Sequence, residues 1–78
     1  MAITADRLYV TDLKAPNVRV YDKKERKLLF TIPRGTVTET NQLFSPTNLA
    51  LDSQGNLYVS DTGAFRVLKF DPEGNYLQ

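Results

Sequence analysis

Apolar and polar residues alternate over short stretches of this chain, and each stretch ends at a segment rich in Asp, Gly or Pro. "LYV" at 8–10 and again at 57–59, "VRVY" at 18–21 and "RVLKF" at 66–70 are β-rich runs of strand length. "DSQGN" at 52–56 and "DPEGN" at 71–75 carry turn residues, with Pro72 where a turn wants a fixed φ. No window shows a helical period. The pattern predicts an all-β chain with strands at 2–4, 8–11, 18–21 and 27–32, then at 49–52, 57–60, 66–70 and 76–78. These make two four-stranded antiparallel meanders, over 1–32 and 48–78, joined by a connector at 33–47.

The two halves are copies of one another. Tyr9 and Tyr58, Asp12 and Asp61, and Asp22 and Asp71 all keep an offset of 49 residues. Leu8/Leu57, Val10/Val59, Val18/Val67 and Leu28/Leu77 keep it too. Upstream of Leu8 the register slips by one residue, in a turn that tolerates the change.

Several strands are apolar on both faces. In "KLLFTI", alternation puts Leu28, Phe30 and Ile32 on one face and Leu29 on the other. In "RVLKF", Leu68 and Phe70 oppose Val67. A sheet with one wet face alternates more cleanly. Both faces therefore need cover, and in a chain without helical periods the cover is another sheet.

Composition narrows the chemistry. Seventy-eight residues make one domain at most, with a marginal core. Ten Lys and Arg against nine Asp and Glu leave a net charge of +1, too small to single out nucleic acid as partner. The chain has no Cys and no His, so disulfides, thiolate chemistry, the usual zinc ligands and the commonest neutral-pH base are all missing. No apolar run reaches the length of a membrane span, and the first residues lack the pattern of a signal peptide. No membrane partner is expected, and composition names no compartment.

Residues 45–78, "SPTNLALDSQGNLYVSDTGAFRVLKFDPEGNYLQ", resemble the NHL repeat, one blade of a usually six-bladed β-propeller. The resemblance is carried by Pro46, the strand at 49–52, Gly55, the strand ending in Asp61, Gly63, Arg66, the strand ending in Phe70, Asp71 and Gly74. The first half resembles it more weakly, with Asn17 in the place of Arg66 and no Gly in "DLKAPN". Two blades bury one mutual interface and leave two outer faces open. Burying five or six such side chains contributes on the order of 10 kcal/mol, as much as the whole stability of a small protein. The resemblance thus implies self-association head to tail. Three copies would complete a six-bladed ring as a homotrimer, with a short last strand at 76–78 on the outer edge.

Candidate site residues lie in the loops. Asp61 and Arg66 flank the loop of the second copy and are expected to brace it as an ion pair. Asp12 is expected to brace its own loop by accepting backbone N–H bonds. The basic run "DKKERK" at 22–27 is interrupted by Glu25 and reads as a solvated hairpin. In NHL propellers this loop face binds partners, so the resemblance implies Lys14, Arg34 and Phe65 as candidate contacts for a protein or RNA. For Phe65 the favoured reading is packing, over the neighbouring blade or over the connector at 33–47, and Leu43 and Phe44 are expected to anchor that connector onto the blades. No paired carboxylates, nucleophile triad or phosphate-binding glycine loop is present. No catalytic residue, cofactor or metal is expected. Three functions follow: a non-enzymatic self-assembling propeller unit, a protein- or RNA-binding module, and a lyase- or lactonase-type propeller. The last would have to build its site from repeated copies of Asn48, Asp12 or Asp61. The first is the expectation carried forward.

Overall fold

The computed structural model describes residues 2–14, 16–35, 37–38 and 40–78. Its strands are β1 (Ala2–Ile3), β2 (Arg7–Asp12), β3 (Asn17–Asp22), β4 (Lys27–Ile32), β5 (Pro46–Leu51), β6 (Leu57–Asp61) and β7 (Arg66–Phe70). They form two antiparallel sheets, β1-β2-β3-β4 and β5-β6-β7, with no helix among the described residues.

Aspartates end the strands by a shared device. Asp22, Asp52 and Asp71 each accept a backbone N–H from two residues on: Lys24 at 2.8 Å, Gln54 at 2.9 Å and Glu73 at 3.0 Å. A short carboxylate can meet the turn's free amides in this way and so stop the ladder. Asp52 also takes the backbone and side-chain N–H of Asn56 and the Tyr58 hydroxyl. Desolvation opposes its charge, yet these donors hold its carboxyl below the ordinary value.

Three expectations need correction. The predicted strand at 76–78 reduces to a single bridge, Phe70 with Tyr76, followed by hydrogen bonds from Leu77 and Gln78 to the Lys69 carbonyl. Pro46 and Thr47, assigned to the connector, open β5 instead. Pro46 is tolerable there because it is the first residue of an edge strand, where no ladder N–H is needed. The faces of β4 also differ from simple alternation. A bulge between Val20 and Tyr21 pairs Val20 with Phe30 but Tyr21 with Leu28. Leu28 therefore leaves the face of Phe30 and Ile32 and joins that of Tyr21.

The two sheets share one core. Tyr9, Val18, Val20 and Ile32 of the first sheet are buried with Leu57, Val59, Leu68 and Phe70 of the second, and with Leu43 of the connector. At the edge of this junction, the turn after β7 seats on the first sheet. The guanidinium of Arg7 donates to the Pro72 carbonyl, and Arg34 donates from its backbone to Gly74 (3.0 Å) and from its side chain to Glu73 (3.2 Å). Both arginines lie over the Phe30 ring, at 5.5 and 4.9 Å from its centroid. Gly74 has φ +88°, and a Cβ there would lie 2.8 Å from a Phe30 ring carbon. Gly74→Ala is therefore expected to destabilise the chain by about 2 kcal/mol, from left-handed strain plus displacement of Phe30. Urea unfolding checks this, and an unchanged midpoint would show that the turn does not rest on Phe30.

Candidate functional site

Asp61 ends β6 and is only 1% exposed. A buried carboxylate must be satisfied, and here backbone amides do it. Its Oδ1 accepts the N–H of Ser45 at 2.8 Å, Gly63 at 3.1 Å and Ala64 at 3.4 Å, while its Oδ2 accepts that of Phe44 at 2.9 Å. One side chain thus closes the loop that follows it and clamps the connector some 16 residues upstream. Thr62 adds a backbone bond to the Ser45 carbonyl at 3.1 Å. The clamp needs a bare backbone at position 63, since a Cβ on Gly63 would lie 2.8 Å from that of Phe44 and 3.0 Å from the Ser45 nitrogen. Burial pushes the carboxyl up, but the Ser45, Phe44, Ala64 and Gly63 donors outweigh it and hold the group below its ordinary value.

The expected ion pair between Asp61 and Arg66 does not form. The amides occupy the carboxylate, and Arg66 instead donates from its guanidinium to the Gln42 carbonyl at 2.7 Å. Both side chains brace the loop and connector, each through backbone rather than through the other. Asp12 accepts the Lys14 N–H at 2.9 Å and also pairs with Arg19 at 2.8 Å. Sequence reading missed Arg19, although it stands on β3 near the same sheet end, opposite Val10.

The candidate partner contacts are differently placed. The Lys14 side chain is exposed, beside exposed Leu13; Ala15, in the same loop, lies outside the described residues. Arg34 is spent on Phe30 and Glu73, at the junction between sheets. Phe65 does not pack over the connector: it is 93% exposed, with φ +54°. It borders a shallow hollow of about 330 Å³ that Ser60, Thr62 and Val67 also line. Of the two expected connector anchors, Leu43 is buried while Phe44 stays half exposed and is held by its backbone. Glu39, which opens that segment, lies outside the described residues, as does Met1. The basic turn after β3 is exposed, with its Lys27 and Glu25 paired at 2.6 Å.

Chemically, the arrangement around Asp61 is a structural anion site filled by the chain's own carboxylate. No group of three metal-ligating side chains occurs among the described residues. Because its folded pKa is lowered, Asp61 adds stability above the ordinary carboxyl value of 3.8, and this is lost as pH falls through the folded value. Asp61→Asn is expected to cost about 2 kcal/mol near neutral pH, since an amide NH₂ then faces N–H donors. It should also make the acid limb of the stability curve shallower. Thermal unfolding between pH 2 and 7 measures both, and parallel curves for the two proteins would contradict the assignment.

Comparison with known proteins fits this geometry. No match is found among curated proteins. The family model of the NHL repeat matches residues 45–70, from Ser45, whose amide Asp61 holds, to Phe70 at the end of β7. The second sheet is therefore the part of the chain that is similar to an NHL repeat, a match consistent with an NHL-repeat β-propeller family.

Proposed function

We propose that this chain is a non-enzymatic β-propeller unit whose activity is to assemble head to tail with copies of itself into a closed ring. One observation carries the reading. Ile3, Leu8, Tyr21 and Leu28 form a row across β1 to β4, and each pairs with the next in register. Ile3 is 57% and Leu28 is 50% exposed. The matching row of the second sheet, Leu51, Leu57 and Phe70, is packed into the core, with Leu57 at 1% and Phe70 at 0%. The same repeat position is thus dry in one copy and wet in the other. Wet apolar rows of this kind mark association surfaces. A heterologous contact repeated three times gives six blades and leaves no open face. Light scattering coupled to size exclusion is expected to return three times the chain mass. A folded monomer at all concentrations would overturn the proposal.

A second reading, a module that binds protein or RNA through the loop face, draws on Phe65. An aromatic residue left 93% exposed and held at positive φ costs stability without any return inside the chain. Such side chains stack on bases or fill partner pockets. Phe65→Gly is expected to stabilise the fold by about 1 kcal/mol while weakening capture of single-stranded RNA in a fluorescence titration. Unchanged RNA affinity with raised stability would leave Phe65 without a role in RNA binding.

A further inference from the structure

The junction inside the chain buries one face of each sheet, and the repeat offset identifies the counterpart faces left outside it. The first sheet contributes to the core the face that carries Tyr9, Val18 and Val20, and the second contributes the opposite face, with Leu57, Val59, Leu68 and Phe70. By the 49-residue offset, the second sheet's own copy of the first face is Tyr58, Val67 and Lys69. In register, Tyr58 pairs with Lys69 and Ser60 with Val67, on the side turned away from Val59 and Leu68. This face is open: Val67 is 61% exposed, and the Lys69 ammonium lies over the Tyr58 ring at 5.5 Å. The first sheet's copy of the other face is Leu8, Val10, Arg19 and Tyr21, of which Arg19 is exposed and the other three are half-buried. Beside Leu8 and Tyr21 lies a hollow of about 380 Å³, rimmed by Asp22, Lys23 and Arg26. Within the chain, the corresponding place by Leu57, Phe70 and Pro72 is covered by the face of Tyr9, with Arg7 linking the Tyr9 hydroxyl and the Pro72 carbonyl.

We propose that the Tyr58–Val67–Lys69 face of one copy seats on the Leu8–Tyr21 row of a second copy, with Tyr58 taking between chains the place that Tyr9 takes within one. The occupant is a second copy because the two open faces are the repeat equivalents of the two that already pack together. This inference rests on the self-assembly reading and adds which faces meet. The junction is heterologous, so each contact consumes one face of each kind.

That property gives the test. Leu8→Glu blocks the first face and Val67→Glu blocks the second, each with a charge that cannot be buried unpaired. Alone, each variant is expected to run as a monomer in light scattering, even at concentrations where the unmodified chain assembles. Mixed in equal amounts, they should form a heterodimer of twice the chain mass, because one intact face of each kind remains. Circular dichroism confirms that each variant is folded, and Leu28→Glu replaces Leu8→Glu if the latter is not. If the unmodified chain assembles and either variant still reaches the same mass, the faces are wrongly assigned although self-assembly stands. If both variants are monomeric and the mixture stays monomeric, the two faces do not meet and the inference is overturned. If the unmodified chain itself is a monomer, both the inference and the reading beneath it are overturned.

Discussion

A β-sheet that is apolar on both faces has to be covered on both, and this constraint organises the whole molecule. Two such sheets stacked on each other satisfy half of it. Tyr9, Val18 and Val20 are buried against Leu57, Val59, Leu68 and Phe70, while Ile3, Leu28 and Val67 remain wet on the far sides. The burial already achieved is what lets a chain of this size hold together. The burial not achieved is what the proposed assembly would complete.

The rest of the structure serves the stacking. Asp61 ties the end of β6 to Phe44 and Ser45, which sets where the connector ends and where β5 begins. Arg66 holds the Gln42 carbonyl, next to buried Leu43. Arg7 and Arg34 both lie over the Phe30 ring and grip the turn of Pro72 to Gly74. These polar groups act mainly on backbone rather than on one another. That suits a repeat, because the same loop can be closed whatever side chains vary around it. The conspicuous Asp and Arg of the loop are both engaged with backbone, Asp61 with four amides and Arg66 with the Gln42 carbonyl.

Much of this was legible in the sequence. Alternation located the strands, and the Asp-led turns located their ends, because both signals are local. The offset between Tyr9 and Tyr58 exposed the repeat. What stayed hidden depends on contacts distant along the chain or on register. The bulge that moves Leu28 to the face of Tyr21 leaves no mark on composition. The donors to Asp61 are backbone amides, which every residue but Pro carries, so no residue type announced them. Arg66 looked like the natural partner of Asp61 only because it was the nearest opposite charge. Phe44 looked like an anchor by its size, yet it is held by its N–H while Leu43 takes the core position.

The central claim is that the outer faces of this pair of sheets are buried in solution by further copies. Small-angle X-ray scattering over a dilution series tests it most directly, because shape and size are read without labels or substitutions. The account expects a compact particle several times the chain volume, with a radius of gyration well above the 11.4 Å of a single chain. A radius close to 11.4 Å at every concentration, with the chain folded, would contradict it.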